Sequence, residues 1–309
     1  KDFTFPQTFL LMLASFSLFT GAEAMGIFSI FSKMTQQSID RMNQIKTIPK
    51  LEDISGTEKL EWYDICFEHV NFAYNKTPVL RDVSFCVPEG TTTALVGLSG
   101  SGKTTITNLI ARFWDIQSGH GEISIGGKAV KTLSYEHLLK NISFVFQDVF
   151  LFNDTVLNNI RIGRPDATIE EVCEAAQRAG CAEFIEAMED SYNTVIGEAG
   201  VRLSGGEKQR ISIARALLKD APIILLDEVT ANVDAENEQL IQTALQELLK
   251  NKTVIMIAHK LSTIQNADQI LVLENGTISQ RGSHAELIAQ GGLYRRLWDI
   301  QYEAERWRM

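Results

Sequence analysis

The sequence predicts an α/β domain on a largely parallel sheet, preceded by one long apolar helix. Two observations carry the domain. Short apolar runs alternate with helical stretches across residues 60–309, and one run feeds a glycine-rich loop, 97–105 (GLSGSGKTT), that opens a helix. The third observation carries the helix. Residues 8–31 read TFLLMLASFSLFTGAEAMGIFSIF, 24 residues with one charge, Glu23.

A bilayer-spanning helix needs about 20 largely apolar residues. Ala14, Ser15, Ser17, Gly21, Ala22, Ala24 and Gly26 suit close helix packing in lipid. Lys33, Arg41, Lys46 and Lys50 follow, opposed by Asp40, which puts the downstream side in the cytoplasm by the positive-inside rule. The competing reading is a buried helix of a soluble protein or a disordered leader. Glu23 in a span would line a substrate path or face a wet helix interface, and one helix does not decide. One helix forms no pathway either, so the rest of a membrane domain is expected outside this chain. Residues 33–58 read as a polar helix and a linker, with Pro49 stopping the helix and the tetrapeptide 54–57 (ISGT) marking the boundary. The expected divisions are 1–32, 33–59 and 60–309.

In the body, 62–70 and 79–87 are expected strands joined by 71–78. The runs 92–96, 142–146, 223–227, 254–258 and 270–273 have the apolar character of buried parallel strands. Helices are expected at 106–113, 169–179, 205–219 and 236–249. A βαβ order of this kind implies right-handed crossovers.

Strand, glycine-rich loop and helix together form a phosphate cradle. A chance GxxxxGK(S/T) in a chain this long has odds on the order of 1%, so the match carries weight. Gly97, Gly100 and Gly102 permit close backbone approach. The N–H groups of Ser99, Gly100, Ser101, Gly102, Lys103 and Thr104 wrap a β-phosphate, with Thr105 following in the helix. Lys103 reaches the β- and γ-phosphates, and the Thr104 hydroxyl sits on Mg²⁺. A second motif, 203–207 (LSGGE), contains Ser204, Gly205 and Gly206.

The run 222–228 (PIILLDE) ends in two carboxylates, which a buried strand does not do without compensation for desolvation. Asp227 fits a Mg²⁺ ligand, and Glu228 can polarise an attacking water. His259 ends a strand expected beside that of Asp227, which favours phosphate sensing over a structural role. Gln147 ends the run VFQ, where its amide would touch Mg²⁺ or the attacking water. Tyr74 lies between two strands upstream of the loop, placed to stack on adenine or to be an ordinary exposed loop aromatic.

Net charge is -10, which argues against a nucleic-acid binder. Cys66, Cys86, Cys173 and Cys181 form no CxxC pair, and reduced cysteines of a cytosolic domain are expected.

Together these residues resemble the nucleotide-binding domain of ABC transporters of the exporter-type half-transporter class. The resemblance covers residues 60–309, and the segment before it looks like a last transmembrane helix with its cytoplasmic extension. It implies a P-loop NTPase (RecA-like) core with an antiparallel β subdomain and a helical subdomain. GLSGSGKTT is similar to Walker A, residues 223–227 to Walker B with Glu228 as base, Gln147 to the Q-loop, and His259 to the switch histidine. Tyr74 matches the adenine-stacking aromatic, LSGGEKQR the signature, and Asp234 the D-loop aspartate at a dimer seam. The family docks two such domains head to tail, so Ser204 and Gly206 of one copy would complete the ATP site begun by Lys103 of the other. The implied partners are a second nucleotide-binding domain in a homodimer or heterodimer, the chain's own transmembrane domain, and an unidentified transported substrate. The implied location is the cell membrane, with the ATP-binding domain cytoplasmic. Two departures concern coupling: Glu207 stands where Gln is commoner, and Val195, in the loop 194–200 that exporters set against the membrane domain, where many have Glu. The alternatives are a soluble ABC-type ATPase acting on nucleic acid, which would need a coiled coil, a second cassette or basic arms, and a regulatory ATP-binding module without turnover.

Overall fold

A mixed six-stranded sheet in the order β10-β9-β3-β8-β7-β6 organises the body. The computed structural model describes residues 4–47, 59–75, 77–200, 203–227, 229, 235–258 and 261–306. The chain divides into two units. The first is a single helix, α1 (Phe5–Lys46), of 42 residues, about 63 Å long at 1.5 Å per residue. It runs unbroken through residue 32. Its long apolar stretch passes the length and composition test for a membrane span.

In the second unit the chain passes through β1 (Ile65–Tyr74), β2 (Thr77–Val87), β3 (Thr92–Gly97), α2 (Lys103–Ile110), β4 (Glu122–Ile125), β5 (Lys128–Ala129), α3 (Tyr135–Lys140) and β6 (Ile142–Val145). It continues through α4 (Val156–Arg161), α5 (Ile169–Arg178), α6 (Ala182–Glu186), α7 (Gly205–Lys219), β7 (Ile223–Asp227), α8 (Ala235–Leu248), β8 (Thr253–Ile257), β9 (Gln269–Glu274), β10 (Thr277–Gly282), α9 (His284–Gln290) and α10 (Leu293–Arg306). Strands β9, β3, β8, β7 and β6 are mutually parallel, and only β10 runs against its neighbour. A second, antiparallel sheet has the order β2-β1-β4-β5.

Both faces of the parallel strands are buried, which explains their unbroken apolar runs. On β7, Ile223 and Leu225 join the core under the antiparallel sheet, while Ile224 and Leu226 join the core formed with the helical region of α4 to α8. On β3, Leu95 faces the first of these cores, and Ala94 and Val96 meet α9 and α10.

The first strand differs from the sequence reading. It begins at Ile65 and continues to Tyr74, through residues expected to be a connection. Inward alternation holds at Ile65 and Phe67, slips at His69, and resumes at Val70 and Phe72. His69 has φ 50° and Asp82 on β2 has φ 51°, with the imidazole Nδ1 2.7 Å from the carboxylate. This bulge re-phases the strand, so a strict period of two ends it too early. Pro78 is tolerated because β2 is an edge strand.

The cysteines require a second correction. Cys66 and Cys86 are directly opposite in the β1–β2 register, their Cα atoms 4.2 Å apart, and form a disulfide. Their separation of 20 residues signals nothing in sequence; the hairpin brings them together. Cys173 and Cys181 are free thiols.

The β9–β10 hairpin turns on Asn275 and Gly276, both at positive φ (51° and 82°), the backbone a two-residue hairpin loop favours. The Gly276 carbonyl accepts a hydrogen bond from the Arg81 amide of β2, tying one sheet to the other. A Cβ at Gly276 would lie 2.1 Å from the Val79 carbonyl oxygen. Gly276→Ala is therefore expected to cost about 2 kcal/mol in urea denaturation, whereas Asn275→Gly should stay within about 0.5 kcal/mol.

Candidate functional site

The parallel ladder sets where each motif leaves the sheet. Leu95 of β3 pairs with Ile257 of β8, Ile257 with Asp227 of β7, and Leu226 with Val145 of β6. The glycine-rich loop, Asp227 and the segment holding Gln147 thus emerge from neighbouring strands at one C-terminal edge, where open α/β sheets bind ligands. The strands leading to Glu228 and His259 are adjacent, as the sequence anticipated. Glu228, Asp234 and His259 themselves lie outside the described residues.

The loop after β3 folds tightly. Gly102, at φ 106°, caps α2, and a Cβ there would lie 2.6 Å from Leu80 Cδ2. Helix α2 starts at Lys103, three residues before its expected start, and its apolar Ile106, Leu109 and Ile110 are buried. The Lys103 stem is buried and its Nζ donates to the carbonyls of Gly97 (2.8 Å) and Leu98 (3.1 Å), holding the ammonium across the loop. Ser101 is 3% exposed, and its Oγ has no hydrogen-bond partner among the described residues. An orphaned buried hydroxyl is costly, and a phosphate oxygen bound in the loop would be a suitable acceptor. Ser99, Gly100 and Thr104 are open to solvent, while Thr105 is buried. Thr104 hydroxyl, Asp227 carboxylate and Gln147 amide are hard oxygen donors, the class Mg²⁺ prefers.

Tyr74 ends β1 opposite Thr77. Its ring meets Trp114 edge-on at 5.1 Å (83°) and Phe72 at 5.0 Å (90°). Phe72 in turn pairs with Leu80, the residue against Gly102. The hairpin thus brings Tyr74 to the side of the cradle, and Trp114, beyond the end of α2, buttresses it. Trp114 was not legible as a site residue, because nothing in the local pattern links it to a tyrosine 40 positions earlier.

The signature segment forms the start of α7. Ser204 caps the helix: its Oγ accepts from the Glu207 amide (3.3 Å), and the Glu207 carboxylate accepts from the Ser204 amide (2.8 Å). This capping box explains Glu207, since Glu and Gln both complete it. Ser204 and Gly205 are exposed, and buried Gly206 lies against Asn237. These contacts belong to the helical region, whereas Gly102 contacts β2.

Two polar anchors on α7 also escaped the sequence reading. Gln209 is 4% exposed and donates from Nε2 to the Phe146 carbonyl (3.1 Å), fixing the residue before Gln147. Arg215 donates to the Phe150 carbonyl (2.7 Å), the Asn159 carbonyl (2.7 Å) and the Asn159 Oδ1 (2.8 Å). Asn159, fully buried, bonds both the amide and the carbonyl of Phe152. Burial pushes the Arg215 guanidinium down to about 10, which leaves it cationic at neutral pH. This clamp leaves Phe150 and Phe152 pointing outward, 61% and 52% exposed.

Residues 80–231 match the ABC transporter family. The chain carries an ABC transporter domain. It is 50% identical to the "ATP-dependent lipid A-core flippase" of Pasteurella multocida (strain Pm70), over 79% of this chain and 42% of that protein. It is 44% identical to the protein of the same description from Vibrio vulnificus (strain YJ016), over 98% of this chain and 52% of that one. A solved structure described as a bacterial Atm1-family ABC exporter with ATP bound superposes with a TM-score of 0.80 at 38% identity, covering 87% of this chain and 47% of that one. The chain thus spans about half the length of these relatives. The ABC exporter fold, with its P-loop NTPase core, accounts for both sheets and the helical region.

Two outcomes test this geometry. Trp114→Ala should weaken binding of a fluorescent ATP analogue roughly 3- to 10-fold, as expected for an edge-to-face buttress, and Trp114→Phe should retain most of the affinity. Arg215→Met removes the donors to the carbonyl and Oδ1 of buried Asn159 and should lower stability by about 2 kcal/mol in urea titration.

Proposed function

We propose that this chain is the ATP-binding and hydrolysing part of an exporter-type half-transporter, with 1–32 ending the membrane domain, 33–59 extending it, and 60–309 forming the ATP-binding domain. The carrying observation is the convergence of the glycine-rich loop, Asp227 and the Gln147 segment at one sheet edge, while the exposed cap of α7 presents Ser204 and Gly205 outward.

In this reading Lys103 and the amides of residues 99–104 hold the ATP phosphates, Ser101 supplies its unspent hydroxyl, and Tyr74 stacks on adenine. Thr104, Asp227 and Gln147 would hold Mg²⁺, which when bound neutralises charge on the β- and γ-phosphates. Glu228 accepts a proton from the attacking water, His259 contacts the γ-phosphate, and the bond to the ADP leaving oxygen breaks. Ser204, Gly206 and Asp234 act in trans. The N-terminus of α7 favours the anionic γ-phosphate of the partner copy. ATP then bridges two domains, and hydrolysis releases them. The data permit a homodimer, since one chain carries both halves of the site.

Partner and location follow the same reasoning. Phe150, Phe152 and Val195 are exposed, and an isolated bridge between Thr155 and Val195 joins their segments. An apolar surface so held suits docking of the membrane domain. The apolar length of α1 and the lysines and arginine that follow support a cell-membrane location with the ATP-binding domain cytoplasmic. The flippase relatives favour an amphipathic lipid as cargo over a metal chelate. The net charge of -10 speaks against the nucleic-acid alternative.

ATP turnover measured against protein concentration tests this reading. Turnover per chain should rise with concentration and vanish in Glu228→Gln, which should instead accumulate as an ATP-bound dimer on gel filtration. Ser204→Arg should bind ATP normally yet stay monomeric. A Ser204→Arg dimer would overturn the composite site, and full turnover in Glu228→Gln would overturn the base.

A further inference from the structure

Cys66 and Cys86 sit where the β1–β2 hairpin is regular, and three register shifts lie between Phe67 and Ala73 before Tyr74. Their flanking residues Ile65, Phe67, Phe85 and Val87 are buried. Alternation therefore turns both sulfurs to the opposite, outer face of the sheet, where Cys86 is exposed and Cys66 half-buried. Charges of both signs surround it: the Asp64 carboxylate lies 3.9 Å from the Cys66 sulfur, exposed Glu68 and Glu122 are paired across β1 and β4 next to the Cys66–Ser124 pair, and the Arg281 guanidinium donates to the Ser84 carbonyl two residues from Cys86. Cys181 differs, since burial pushes its thiol up to about 12.

We propose that Cys66 and Cys86 form a reversible thiol–disulfide modification site, opened by a small dithiol and closed by a disulfide of the glutathione class, that staples the β1–β2 hairpin. The thiolate of the dithiol attacks the exposed Cys86 sulfur and expels Cys66 as thiolate, which takes a proton. The second thiol then attacks the mixed disulfide and releases Cys86, so two electrons and two protons pass from the dithiol to the protein. In the reverse direction the two protein thiols reduce one glutathione disulfide to two glutathione molecules. Closing the hairpin restricts the unfolded chain, so the oxidised form melts several degrees higher than the reduced one.

The chain in detergent, without denaturant, is treated with oxidised glutathione or with dithiothreitol, desalted, then denatured for thiol titration and peptide mapping. With four cysteines in the chain, the expected counts are two thiols after oxidation and four after reduction, with one cross-linked peptide pair containing Cys66 and Cys86. Cys86→Ser should give three thiols after reduction, lose the cross-linked peptide pair and abolish the shift in melting temperature. Four thiols after oxidation, a cross-link to Cys173 or Cys181, or a bond that native protein does not surrender to dithiothreitol would each overturn the proposal. The wild-type counts and map decide the matter even if the variant folds poorly.

Discussion

The register of the parallel ladder is the constraint on which the rest of the body depends. The strands β3, β8, β7 and β6 each bury both faces, and the two faces belong to different cores. A slip of one residue would exchange those cores along a whole strand. The same register aligns the ends of β3, β8, β7 and β6, so one apolar pattern fixes both packing and the relative heights of the phosphate loop, Asp227 and the Gln147 segment. Chemistry at the edge is inherited from packing in the middle.

Helix α7 carries this alignment sideways. Its cap presents Ser204, its first turns hold the Phe146 carbonyl through Gln209, its middle clamps Phe150 and Phe152 through Arg215 and Asn159, and Lys219 at its end donates to carbonyls at Leu139 and Ile142 around the start of β6. Most of these bonds join a side chain to a backbone carbonyl, and apart from the exposed bond to Phe150 those are part-buried, a pairing that costs free energy if broken. The segments holding Gln147 and the exposed phenylalanines are therefore tied to one helix by hydrogen bonds as well as by side-chain packing.

The sequence makes legible whatever is local or strictly periodic. The strand 223–227 and the helix 205–219 are found with their expected extents, and the glycine-rich loop lies between its expected strand and helix, because apolar runs and caps are encoded within a few residues. Elements that depend on distant partners are not legible. The first strand is foreshortened because register shifts against β2, beginning at the bulge around His69, break its alternation. The cystine depends on a hairpin, and the Trp114 buttress depends on a ring contact with Tyr74, 40 positions earlier. Gln209 and Arg215 looked like ordinary polar helix residues, because the acceptors they satisfy lie 56 to 65 positions away. Short elements such as β5 and α6, of two and five residues, leave too few positions for any period to register.

Helix α7 also limits how this protein can change through evolution. Successive helical residues are rotated by about 100°, so inserting or deleting one residue between Ser204 and Lys219 would turn every later anchor away from its carbonyl at once. Substitutions there lose one contact each, but a change in length loses several together. Lineages descending from this chain should therefore vary freely in the connections around the helix while preserving the count of residues within it.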